Sequence, residues 1–348
     1  MVSDAPLAST NVDAAKAVSP NPAYTAPTIV VCGAGGCGIN IARIVARNLK
    51  ASTDADGVDQ SVPVKFFDTS MANSRPGETV SIITGGHGSG GVRATNAAAI
   101  QKEVAALGEN DLPKADVAIL ICSLSGGTGS VLGPILAREY AKRNARVVIA
   151  VVADSQAELF ARNTENTMKT LTAIAENNNI YLPTMLYDND TLPRTQVDAL
   201  AGRDIAVLVD LLHSEATEVD KNDRLNFLNG TTTFSAPAGL KLLSVFENSY
   251  VSDRPQPLFS HDSTEQYDAI LNIGAPELAI NAPTYTRFRK DGIFTRHSDA
   301  IMGLISSNLA PLNTLLSRID TILHVTKTQA KPVQISRLSN TGGDDLIL

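Results

Sequence analysis

The chain has 348 residues, 43% of them hydrophobic and 19% charged, a formal net charge of −7 and three cysteines. That length holds one large or two medium domains with their own cores, and no apolar run is long enough to cross a bilayer. The acidic balance without a basic block argues against an electrostatic nucleic-acid surface, and an odd cysteine count without a CxxC pair argues against a disulfide framework.

Residues 1–27 are rich in Ala, Ser and Pro and lack the basic start and apolar stretch of a targeting segment, so they are expected to form a loose tail. From Thr28 the pattern alternates. "TIVVCG", "VPVKFFD", "DVAILIC", "RVVIAVVADS" and "IYLPTMLYD" read as strands, nearly all apolar. Between them "INIARIVARNLK", "ATNAAAIQKEVAAL", "LGPILAREYAKRN" and residues Gln156 to Glu176 have helical spacing. Strands alternating with helices in this way predict an α/β fold with a parallel sheet covered on both faces.

Arg194 to His213 reads as a long helix, apolar on so many sides that it should be buried between two bodies. After Gly230 the texture changes. "TTTFSAPAGLKLLSVFE", "YDAILNIGA", "LAINAPTYTRF" and "KPVQISRL" read as strands, with one helical run from about Ser298 to Ile322. The expected organisation is therefore an α/β domain over 28–192 and a central helix with its following loop over 193–229. A smaller α+β domain covers 230–335, and a flexible tail 336–348.

Three glycine-rich loops carry the chemistry. Gly33-Ala34-Gly35-Gly36-Cys37-Gly38 follows a strand and opens a helix, where backbone N–H groups and the helix N-terminus suit a phosphate. With Asp68 ending the next strand, those features alone fit a dinucleotide-dependent oxidoreductase equally well. Ser125-Gly126-Gly127-Thr128-Gly129-Ser130 and the Gly88-Ser89-Gly90 stretch of "TGGHGSGGVR" tip the balance. Several loops contributing N–H groups suit the larger charge of a triphosphate, and the chain has no GxxxxGK[ST]. The five histidines show no metal spacing, and the cysteines read as small residues in tight turns of a protein from a reducing cytoplasm.

In "SGGTGSV" the chain resembles the tubulin/FtsZ superfamily of filament-forming GTPases, whose signature ends in glycine where Val131 stands here. The resemblance runs from about Thr28 to Phe227. It implies that "GAGGCGIN", ending in Asn40, is the first phosphate loop and that "TGGHGSGGVR" senses the γ-phosphate. It further implies that Glu158 and Arg162 serve the ribose and the base, and that Asp198 accepts hydrogen bonds from guanine. By spacing alone Glu158 and Arg162 form an i,i+4 pair. "EVDKND" resembles the family's catalytic loop, with Asp220 and Asp223 as its acids and Glu218 replacing an asparagine. By composition alone it is a solvated acidic loop.

In the family that loop completes the site of the next subunit, so the resemblance implies GTP hydrolysis within a head-to-tail homopolymer, with GTP/GDP and Mg²⁺ as cofactors. Asp68 and Thr69 approach that ion without an assigned ligand. The short tail with Asp344 and Asp345 before Leu346-Ile347-Leu348 resembles phage and plasmid tubulins, which position or segregate DNA in a bacterial cytoplasm. A cargo or adaptor protein is the further partner implied, with no membrane, and the tail is expected to dock on a neighbouring subunit. The alternatives are a NAD(P)-dependent oxidoreductase and a tubulin-like filament protein with little GTPase activity.

Overall fold

The computed structural model describes residues 25–56, 62–213, 219–247, 267–273, 285–289 and 301–329. The strands are β1 (Ile29–Ala34), β2 (Val64–Asp68), β3 (Val80–Ile82), β4 (Val117–Ser123), β5 (Arg146–Ala153), β6 (Tyr181–Asp188), β7 (Gly239–Glu247), β8 (Ala269–Ile273), β9 (Tyr285–Arg289) and β10 (Ile301–Ser306). The helices are α1 (Gly35–Asp56), α2 (Ala97–Ala105), α3 (Gly129–Lys142), α4 (Glu158–Asn177), α5 (Arg194–His213), α6 (Lys221–Phe227), α7 (Gly230–Thr233) and α8 (Ala310–Gln329).

One sheet joins all the described strands in the order β3-β2-β1-β4-β5-β6-β7-β10-β8-β9. From β3 to β7 every neighbour is parallel; β10 then runs antiparallel to both β7 and β8. The uninterrupted apolar runs form these central strands because both sheet faces are covered, so alternate residues serve two cores. Val30, Cys32, Leu120, Cys122 and Ile149 pack with Ile100, Leu136, Leu171 and Ile319 from α2, α3, α4 and α8. Ile29, Val31, Ile119, Ile121, Val148 and Val152 pack on the other face with Ile41, Leu208, Leu212 and Phe227 from α1, α5 and α6. Burial pushes the Cys32 and Cys122 thiols up to about 12, which leaves them unreactive wall material.

The long apolar helix is α5, buried against α1 and the middle of the sheet. The segment after Gly230 adds β7, β8, β9 and β10 to the same sheet. Two sequence expectations need correction. The strand in "TTTFSAPAGLKLLSVFE" is confined to Gly239–Glu247, because Gly230–Thr233 closes a helical turn. The run from Ser298 is not one helix: Ile301–Ser306 pairs as a fully buried strand, and the helix starts only at Ala310, whose N–H is accepted by Asn308 Oδ1 at 3.0 Å. Glu218, "KPVQISRL" and the tail from Asp344 lie outside the described residues.

Candidate functional site

Parallel sheets bind ligands beyond the carboxyl ends of their strands, where the strand order reverses. Here it reverses between β1 and β4. A cavity of about 570 Å³ lies there, within the roughly 300–1,000 Å³ usual for small-molecule sites. α1 begins at Gly35 and α3 at Gly129, both on the cavity wall, and neither helix has an acid in its first turn. Two helix N-termini, with their N–H groups and positive dipole ends, thus meet at one space, which favours an anion.

The glycine loops interlock backbone against backbone. A Cβ on Gly127 would stand 2.2 Å from Ser89 Oγ and 2.8 Å from Gly91 C. A Cβ on Gly35, whose φ is +70°, would stand 2.8 Å from Gly129 N. Only glycine permits both the approach and the angle. A hydroxyl chain ties the same loops together, Thr128 Oγ1 lying 2.6 Å from Thr69 Oγ1 and 3.2 Å from Ser89 Oγ. Asp68 braces the loop after β2, accepting from Thr69 N–H at 2.7 Å, Ser70 N–H at 3.2 Å and Asn73 Nδ2 at 2.6 Å. Burial pushes its carboxyl above the usual range, against the pull of those three bonds.

The other end of the cavity has a different character. Asp154, Phe160, Asn189, Arg194 and Asp198 wall it. Arg194 pairs with the buried Asp154 at 2.9 Å, one helical turn before Asp198. Burial raises the Asp198 carboxyl and Arg194 pulls it back. Carboxylates repel phosphate, so a polyanion belongs at the glycine loops and a group rich in N–H donors at this acidic end.

The two acids of the expected catalytic loop lie elsewhere. They form a capping box on α6: Asp223 N–H donates to Asp220 Oδ1 at 2.9 Å, and Asp220 N–H to Asp223 Oδ2 at 3.3 Å. Lys221 between them reaches Asp116 at 2.7 Å, just before β4, whereas the second glycine loop follows β4. Seven residues of strand separate those ends, about 23 Å at the usual rise. Arg224, fully buried, fixes the loop by donating to Leu211 O in the last turn of α5 and to Val219 O at 3.3 Å. The acids and the cavity of one copy therefore sit at opposite ends of the sheet.

Residues 28–196 match the family model described as the tubulin/FtsZ family GTPase domain. They are a tubulin/FtsZ GTPase domain. The likeness continues beyond the domain. Over 314 residues, 86% of this chain and 91% of the relative, it is 26% identical to a phage tubulin-like protein of Pseudomonas phage 201phi2-1. Its fold is that of TubZ from bacteriophage PhiKZ, solved as a protofilament, with a TM-score of 0.71 at 18% identity over 89% of this chain and 95% of that one. The phage tubulin PhuZ solved with GDP gives 0.68 at 23% identity, over 92% and 95%. The family match displaces the dinucleotide-oxidoreductase alternative.

Within this tubulin-type domain the cavity gathers Gly35, Gly36, Cys37, Asn40, Asp68, Gly88, Ser89, Gly90, Ser125, Gly126, Gly127, Thr128, Gly129 and Asp198. Asn40 is held by Arg43, which donates to its Oδ1 at 3.2 Å while paired with Glu78. Thr69 and Ser130 stand fully buried behind the wall. Glu158 and Arg162 pair with each other on the exposed side of α4 and do not line the cavity; Phe160, between them in sequence, does. Sequence reasoning passed over Phe160, Asp154, Asn189 and Arg194. Two of these carried a signal: Asp154 follows an apolar strand as Asp68 ends one, and Arg194 lies one turn before Asp198.

Proposed function

We propose that this chain binds GTP in the β1–β4 crevice and hydrolyses it only between copies, in a head-to-tail filament. The observation that carries this is the placement of Asp220 and Asp223 at the far end of the sheet from the cavity, beside Asp116. The triphosphate lies against the starts of α1 and α3, and the guanine N1–H and amino group face Asp198. An adenine base offers the wrong donors there. Mg²⁺ bound with the nucleotide supplies charge neutralisation on the phosphates. Among the described residues Asp68 Oδ2 accepts from Asn73, which leaves lone-pair capacity for a water of that ion.

Asp220 commits Oδ1 to its capping box, which leaves Oδ2 to accept a hydrogen bond from the water that attacks a neighbour's γ-phosphate. Such attack needs a positioned acceptor more than a strong base. An interface that joins unlike ends is heterologous and does not close on itself, so it propagates as a filament. The solved protofilament of TubZ supports that arrangement by analogy of fold. Positioning or segregating phage or plasmid DNA through a cargo or adaptor protein is the role we propose for the filament.

Complementation tests the split site. Asp198→Ala spoils the nucleotide end and leaves the acids; the Asp220→Ala/Asp223→Ala double variant does the reverse. Each alone is expected to be inactive. An equal mixture regains turnover, to a ceiling of about a quarter of the wild-type rate if copies join at random. A mixture as inactive as its parts contradicts the proposal.

A further inference from the structure

The acidic end of the cavity is held in place by a residue that does not touch it. Arg318 lies on α8, far along the chain from the domain, and is not part of the cavity wall. Its Nη2 stands 2.7 Å from Asp188 Oδ2 and 2.9 Å from Asp190 Oδ2. Only 6% and 13% of those acid side chains are exposed, so the guanidinium is what lets two desolvated carboxylates stand together.

Those acids flank Asn189, a cavity residue. Asp188 ends β6 and its Oδ1 accepts the Asp190 N–H at 2.9 Å. Asp190 in turn accepts the Ser155 N–H at 3.0 Å and its hydroxyl. Ser155 follows Asp154, the partner of Arg194, and the Asn189 carbonyl accepts Gln156 Nε2 at 3.3 Å. The loops after β5 and β6 are thus bonded to each other through Asp190 and to α8 through Arg318.

We propose that Arg318 is a positioning residue for the nucleotide, setting from the C-terminal half of the chain the loop pair that grips the guanine end. This rests on the GTP reading above. Without the guanidinium, Asp188 and Asp190 repel in a poorly solvated setting, and the loop carrying Asn189 relaxes outward. Both affinity and base selectivity then depend on a side chain outside the cavity.

The test uses the nucleotide-free full chain and a fluorescent GDP analogue, with unlabelled GDP and ADP as competitors. Arg318→Ala is expected to weaken GDP about 3- to 30-fold and to narrow the GDP-over-ADP preference. Arg318→Lys should recover part of the loss. Asp190→Asn relieves the repulsion, so the Arg318→Ala/Asp190→Asn double variant should lose less than the product of the two single effects. The inference is overturned if the Arg318 variants stay within about twofold of wild type while Asp198→Ala loses binding. It is also overturned if Ala and Lys lose affinity equally, in step with melting temperature. A wild-type chain that binds GDP no better than ADP overturns the GTP reading itself, and the inference with it.

Discussion

Gly127→Ala sets the interlocking of the glycine loops against its neighbour Gly126→Ala. At Gly127 the new methyl would stand 2.2 Å from Ser89 Oγ, and 2.8 and 2.9 Å from Gly91 C and Cα. Ser89 can rotate away, at the loss of its 3.2 Å contact with Thr128 Oγ1. The Gly91 backbone cannot rotate; it must retreat by roughly 0.5 Å to reach ordinary contact, an overpacking that costs about 1–3 kcal/mol. At Gly126 the same methyl meets only Ser123 side-chain atoms at 3.9 Å, an ordinary contact. That substitution should cost less than about 0.5 kcal/mol. Urea unfolding of the nucleotide-free chain reads both, keeping ligand clashes out of the comparison. Gly127→Ala should also displace the Ser89 loop and weaken GDP. Equal stability of the two variants would refute the claim that the loops abut at backbone distance.

Arg224→Met removes a buried charge but leaves the Leu211 and Val219 carbonyls without its donors. It should lower stability by about 2–4 kcal/mol, and in assembled protein it should slow GTP turnover more than it weakens GDP binding. Unfolding curves and single-turnover rates check this. Asp198 has its carboxyl raised by burial, so the folded chain holds that proton more tightly than the unfolded one. Its charged form therefore costs stability at pH 7, and the cost fades as pH falls toward the unfolded value. Asp198→Asn should make the nucleotide-free chain more stable at pH 7, with the gain shrinking in acid, while GDP binding weakens by about 1.5–3 kcal/mol. Unfolding at pH 7 and pH 4.5 shows the sign. Phe160→Ala should weaken nucleotide binding by about 1–3 kcal/mol through lost stacking, and Glu158→Ala by less than about 0.5 kcal/mol as an exposed pair. The opposite order in GDP titrations would restore Glu158 to the site.

The central strands were legible because a strand buried on both faces leaves an uninterrupted apolar run, and the glycine loops because backbone contact needs glycine. β10 was misread for a related reason. Ile301–Ser306 is too short for its periodicity to separate strand from helix, and it leads directly toward the true helix at Ala310. On α4 the sequence shows that Glu158 and Arg162 share one face and Phe160 another. Which face meets the cavity is set by how the helix packs on α3 and α8, and periodicity does not carry that. The opposite-end placement of Asp220 was readable only through the resemblance, since Lys221 meets Asp116 across more than a hundred residues of chain. Arg318 reaching Asp188 and Asp190 had no sequence signal at all, because its partners are assembled by the sheet.

The split site is tested most directly by GTP turnover per subunit against protein concentration, with light scattering recorded on the same samples. A site completed by the next copy predicts no turnover at low concentration and a steep rise at the concentration where scattering appears. Asp220→Ala/Asp223→Ala should scatter as wild type does, with turnover reduced about 10²- to 10⁴-fold. A wild-type rate per subunit that is constant through the onset of scattering, or a double variant as fast as wild type, would place the chemistry within one copy and contradict it.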